Sequence, residues 1–171
     1  MKQIILRYGL FSGAVAAVLM IGSARYFQST NDYSYGEYIG FAGILLSMLL
    51  VYFGVRTYRD EVTGGVLSFG KGFQIGLLIA IVSCVFYALT WMIVYKTLMP
   101  DFLEKFAQQA MTQMQQSGAT EAQIESKKAE MTHFKEMYQN PLIQFGLTFL
   151  EPFPIGFLVT LVSAVILRKK A

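Results

Sequence analysis

Four long apolar blocks constrain this chain more than anything else in it. They run over Ile4–Phe27, Tyr38–Tyr58, Phe73–Leu98 and Leu142–Leu167. A helix crosses the ~30 Å hydrocarbon layer with ~20 apolar residues, and each block is long enough. In lipid the backbone must satisfy its own polar groups, which such blocks do as helices. A soluble domain interleaves apolar and polar residues; here the few charged residues lie mostly between the blocks. A membrane barrel would need many short alternating strands, and none are written here. The chain reads as one all-α membrane domain, residues 1–171. It has four transmembrane helices (about 4–27, 38–58, 73–98 and 142–167) and an extracytoplasmic helical hairpin, about 99–140, between helices 3 and 4.

The first block starts with Lys2 and Arg7, as a signal peptide would. Leu10 to Ile21 is followed by Gly22, Ser23, Ala24 and Arg25, with more apolar chain beyond a poor cleavage site, so an uncleaved span is expected. Cys84 is the only cysteine and lies in the third span, which excludes an intramolecular disulfide. The net charge of +3 reads as membrane topology rather than nucleic-acid affinity.

Small residues recur every third or fourth position in each span. Gly9, Gly13 and Ala17 do so in the first, and Gly36, Gly40, Gly43 and Ser47 in the second. Gly72, Gly76, Ala80 and Cys84 follow in the third, and Gly156, Thr160 and Ala164 in the fourth. Such stripes let helices approach closely, and packing within the chain is the expected use in the first span. Trp91 and Tyr95, like Tyr52 and Tyr58, suit interfacial belts.

The loop after span two contains Gly65, Gly70 and Lys71 at the spacing of a phosphate-binding loop. The residue that should be Ser or Thr is Gly72, and no buried strand precedes it. A tight turn with Ser68 capping the next helix is expected instead. Arg56, Arg59 and Lys71 form a basic interfacial set able to touch lipid head groups.

Met99 to Asn140 is the one long polar segment. Pro100, Asp101 and Glu104 mark a helix start, and Phe102, Leu103, Phe106, Ala110 and Met114 recur at helical spacing. Ser117 and Gly118 read as a stop, and Thr120 with Gln123 as a capping box. Ile124, Met131, Phe134 and Tyr138 continue a weaker stripe. The two stripes are expected to pack on each other or on the bilayer, with partner binding as the functional alternative. His133, the sole histidine, has no second histidine or cysteine beside it and reads as a solvated face, not a metal ligand. No metal or other cofactor is expected.

Four spans put both ends on one side. That side collects Lys2, Arg7, Arg56, Arg59, Lys71, Arg168, Lys169 and Lys170, against Asp60 and Glu61; the other has Asp32, Glu37 and the mixed-charge hairpin. The positive-inside rule then puts both termini in the cytoplasm and the hairpin outside.

Phe149-Leu150-Glu151-Pro152-Phe153-Pro154 interrupts the last span. Glu151 lies ~14 Å along the helix from Leu142, at ~1.5 Å per residue. A charged acid near the midplane costs a few kcal/mol, so it needs a partner, a wet cavity or its proton. Pro152 and Pro154 cannot donate to the carbonyls of Thr148 and Leu150, and the Thr148 hydroxyl is close by. Broken helices with freed carbonyls make many ion and proton sites. The competing reading is structural: Pro152 starts a helix that runs to Leu167, with Glu151 at its mouth near the head groups. Arg25, Tyr87 and Lys96, all in outer halves of spans, are the candidate partners of Glu151.

These runs also carry a resemblance. Phe53-Gly54-Val55-Arg56-Thr57-Tyr58-Arg59-Asp60, Ser68-Phe69-Gly70-Lys71-Gly72-Phe73, Pro100-Asp101-Phe102-Leu103-Glu104-Lys105, the Glu151 run and Ile166-Leu167-Arg168-Lys169 together resemble the domain of unknown function 4199 family, across essentially the whole chain. The resemblance implies a small four-span bacterial inner-membrane protein and no particular activity. It hints at an accessory role beside membrane glycosyltransferases.

No nucleophile–base pair or paired membrane carboxylates stand out, so an enzyme is the third choice. The first expectation is a non-enzymatic accessory or scaffold subunit in the bilayer, packing with other membrane proteins or with itself. The alternative is a small transporter or proton-coupled component that uses Glu151.

Overall fold

A computed structural model of the chain describes residues 1–30 and 36–169. Its helices are α1 (Lys2–Thr30), α2 (Gly36–Glu61), α3 (Phe69–Thr97), α4 (Phe102–Gln116), α5 (Glu121–Tyr138), α6 (Pro141–Leu150) and α7 (Phe153–Ile166). Four helical stretches, Lys2–Thr30, Tyr38–Glu61, Phe69–Thr97 and Pro141–Ile166, are long and apolar enough to cross a membrane. Asp32 and Lys170 lie outside the described residues, as does the side chain of Glu37.

Two of the helices begin where their caps dictate. Ser68 takes an extended conformation and accepts the Lys71 N–H at 3.4 Å, so α3 starts at Phe69. Gly70, Lys71 and Gly72 are therefore helical and form no phosphate cradle. Thr120 and Gln123 form the reciprocal capping box of α5, each side chain meeting the other's backbone N–H. Gly118, at φ 78°, turns the chain between α4 and α5, a conformation that favours glycine.

α1, α2, α3 and α7 pack on one another around α3, whose Ile75, Ile79, Ala80 and Cys84 are fully buried. The stripes of small residues are used in these contacts. A Cβ on Gly9 would meet Val82 at 2.6 Å, one on Gly13 would meet Phe86 at 2.6 Å, and one on Gly76 would meet Thr160 at 2.8 Å. Ser12 fastens the same seam, donating to the Ser47 carbonyl at 2.8 Å and lying 2.9 Å from the Ser83 hydroxyl. The first glycines of α2 are the exception. A Cβ on Gly40 would meet nothing within 4 Å, and Gly36 and Gly43 have only ordinary neighbours, whereas Ser47 and Gly54 lie in close contacts.

The bundle has a basic end. Tyr8 in the first turns of α1 hydrogen-bonds Thr57 near the end of α2, at 2.7 Å. Leu67 and Lys169 exchange backbone hydrogen bonds at 3.0 Å, joining the α2–α3 loop to the C-terminal residues. Lys2, Arg7, Arg56, Arg59, Lys71, Arg168 and Lys169 thus share one end. At the opposite end Gln28 donates to the Leu98 carbonyl, beside the start of α4.

α4 and α5 pack on each other, and α5 also touches α6. Lys135 and Glu104 bridge the pair through an ion pair in which each stabilises the other's charge. Lys135 holds the Glu104 carboxyl below the usual carboxylate range, and Glu104 raises Lys135. That contribution is complete above the unfolded carboxylate value of ~4.3 and is lost as pH falls through the lower folded value. It is also lost above ~10.4, as pH rises through the raised folded value of Lys135. Amide hydrogen exchange in α4 and α5 should therefore lose protection below about pH 4. Glu104→Gln should flatten that acid limb; an acid limb unchanged in the variant contradicts the assignment.

Candidate functional site

The fourth span is two helices, and the break falls at Glu151-Pro152. Asn140 caps α6 by accepting the Leu142 N–H at 3.0 Å, with Pro141 in the first turn. α6 closes on Glu151, whose N–H donates to the Leu147 carbonyl at 3.2 Å. Pro152 is buried, and α7 starts at Phe153 with Pro154 in its first turn. The two prolines lack N–H groups, so the i−4 ladder cannot run through this point. α7 alone, at ~1.5 Å per residue, is about 21 Å long and too short for the ~30 Å core, so α6 and α7 make the span together.

Of the three candidate partners, Tyr87 is the one brought to Glu151. Its hydroxyl donates to Glu151 Oε2 at 3.4 Å, a long bond. Tyr87 lies ten residues before Thr97, or ~15 Å along α3 from the end that adjoins α4, and Glu151, itself an exposed residue, meets the bundle at that level. Arg25 and Lys96 are exposed and form no ion pair with it. Thr148 is buried three residues before the acid, but its hydroxyl faces Tyr138, at 3.3 Å. The Tyr138 hydroxyl in turn accepts the Trp91 indole N–H at 2.7 Å. Tyr138, the last residue of α5, thus ties the hairpin to both α3 and α6. Its aromatic ring packs against Tyr95 at 5.6 Å and Phe134 at 5.4 Å.

Trp91 and Tyr138 are the site residues that sequence reasoning missed. Trp91 reads as an interfacial anchor, yet its polar edge is satisfied inside the protein. Tyr138 reads as the end of a weak apolar stripe. The only local signal was a tyrosine placed just before a helix-starting Asn-Pro pair.

A cavity of about 790 Å³ lies against this wall, lined by the halves of α1, α2 and α3 away from the basic end, by α4 and α5, and by Glu151. Its surface is mainly apolar and aromatic. Glu151 is exposed and is one of the lining residues. α2 packs along α7, and side chains of both hairpin helices line the cavity. Gly36, Gly40 and Gly43 of α2 line it, which explains their loose surroundings. His133 and Glu130 reach it from α5, with Glu130 already held by Lys127 at 2.9 Å.

Two residues of the basic interfacial set meet at Asp60, and the third stands apart from them. Arg59 meets Asp60 at 2.7 Å and Arg56 meets it at 3.6 Å, while Lys71 donates to Gln74 at 3.2 Å. Among the described residues no group of three or more His, Cys, Asp and Glu could hold a metal ion.

A family model described as "Protein of unknown function (DUF4199)" matches residues 7–169. No curated protein and no solved structure matches the chain.

Proposed function

This chain belongs to the domain of unknown function 4199 family, and we propose that it is a non-enzymatic accessory or scaffold subunit of a bacterial inner membrane. Both termini face the cytoplasm and the hairpin faces outward. The orientation is supported by the basic end of the bundle, which the positive-inside rule assigns to the cytoplasm. The accessory role is carried by the hairpin surface: across α4 and α5 only Tyr138 is buried. A helix pair that spends so little of itself on its own fold is a platform for another protein. Its partners are other membrane proteins, a membrane glycosyltransferase among them, or a second copy.

Purification of the full chain in mild detergent should retain a partner identifiable by mass spectrometry. Changing the exposed Glu125, Lys128 and Glu136 to alanine should release that partner without altering thermal unfolding. A reproducibly monomeric, partnerless protein overturns the reading.

The second reading is a small transporter or proton-coupled component using Glu151. What favours it is a carboxylate with no cationic partner among the described residues, on a cavity wall, at an interrupted helix. It predicts that Glu151→Gln abolishes a pH-dependent flux in liposomes while the protein stays folded. Unaltered flux in that variant sinks it.

A further inference from the structure

We infer that the cavity beside Glu151 is a binding site for an organic ammonium carrying an apolar body, whether or not a partner docks on the hairpin. Four observations point to this ligand class. The cavity, at about 790 Å³, falls within the ~300–1,000 Å³ typical of small-molecule sites. Its charge at the helix break is negative. Among the described residues Glu151, itself exposed, takes one long bond from Tyr87, no Lys or Arg lines the cavity, and the other lining acid, Glu130, is already paired with Lys127. Its wall is aromatic: Tyr87, Trp91, Phe102, Phe134 and Tyr138 all line it, and Trp91 stands edge-to-face with Phe102 at a centroid distance of 5.1 Å. Finally, the Trp91 N–H and the Tyr87 O–H are both spoken for, the first by Tyr138 and the second by Glu151. The two aromatic donors nearest the carboxylate are therefore engaged, and the other ring donor on the lining, His133, comes from the hairpin side in α5.

Ring faces attract cations through their negative quadrupole, and a carboxylate adds the opposite charge. An anionic amphiphile would meet Glu151 and Glu130, with no lysine or arginine among the described lining residues to receive it. A neutral one would fill the apolar volume but leave the carboxylate without a cation. The arrangement thus selects by charge at one end and by hydrophobicity elsewhere.

Trp91 is the only tryptophan in the chain, so its fluorescence reports on the site directly. Purified protein in maltoside detergent, titrated with hexyltrimethylammonium chloride, should give a saturable change in tryptophan emission. Hexanol should bind more weakly and sodium hexanoate weakest. In Glu151→Gln the ammonium should bind roughly tenfold more weakly, the loss expected for one charge-assisted contact, with hexanol unchanged. Circular dichroism of the variant should match the parent. If Glu151→Gln fails to fold, Phe134→Leu, which keeps apolar bulk but removes a ring face, should narrow the preference for hexyltrimethylammonium over hexanol. Equal binding of hexanoate, a non-saturable response, or an unchanged ammonium preference in the folded variant overturns the assignment. None of these outcomes depends on flux or on a partner, so failure here is separate from failure of either functional reading.

Discussion

Gly13→Leu should lower the thermal midpoint of the detergent-solubilised protein by roughly 5–10 °C, the shift that ~3 kcal/mol of overpacking produces in a chain of this size. The reason is geometric. A Cβ at residue 13 would lie 2.6 Å from Phe86 Cβ and 2.7 Å from its Cγ. Those atoms are at the root of the Phe86 side chain, which cannot swing away without α3 moving. Leucine adds three further carbons behind that Cβ, so α1 and α3 must separate. Separation would also stretch the Ser12–Ser83 contact, one residue away on α1. Gly22→Leu is the control, because a Cβ there meets nothing within 4 Å. The control should be neutral or slightly stabilising, since glycine is a poor helix former. A Gly13→Leu midpoint equal to that of Gly22→Leu would mean that α1 and α3 do not meet along this stripe.

Ile79→Ala is the second large effect, at about 3 kcal/mol, within the range for deleting a fully buried aliphatic side chain. Ile79 is 0% exposed and sits where three helices meet. Its carbonyl lies 3.2 Å from where a Cβ on Gly9 of α1 would stand, and its Cδ1 lies 2.5 Å from where one on Gly54 of α2 would stand. The isoleucine side chain therefore fills the space that Gly54 leaves open, while the Val82 side chain fills that beside Gly9. In lipid the driving force is packing rather than exclusion of water, so a void there forfeits dispersion contacts that no solvent replaces. Leu89→Ala removes a residue that is 51% exposed on the lipid-facing side and should cost far less. The double change Gly54→Ala with Ile79→Ala should cost less than the sum of the two, because the first fills part of the void made by the second. Strict additivity in denaturant titration would refute this packing.

How much of this was legible in the residues follows from particular cases. Ser68, Thr120 and Gly118 announced helix boundaries because caps and turns are local: a side chain meets a backbone group two or three residues away. The stripe Gly9, Gly13 and Ala17 announced close packing of α1 but not its partner, which proved to be α3. Glu151, Pro152 and Pro154 announced a break in the fourth span, and the break stands where they are. Arg25, Tyr87 and Lys96 were equal candidates beside Glu151, because depth along a helix is legible in sequence while rotation about its axis is weakly so. Only the packed bundle turned Tyr87 toward the acid and left Arg25 and Lys96 exposed.

The sequence by itself determined the four spans, their common basic end and the interruption at Glu151-Pro152. Each of these rests on hydropathy, charge or a missing N–H, properties carried by short stretches of chain. The tertiary structure alone decided that α2 packs along α7 and that side chains of both hairpin helices line the cavity. It also decided that Trp91, Tyr138 and Glu151 face one cavity. Tyr138 and Trp91 are 47 residues apart, and Tyr87 and Glu151 are 64 apart. Groups so distant meet only through the way whole helices lie against one another, and that is fixed by side-chain packing summed over the bundle rather than by any local motif.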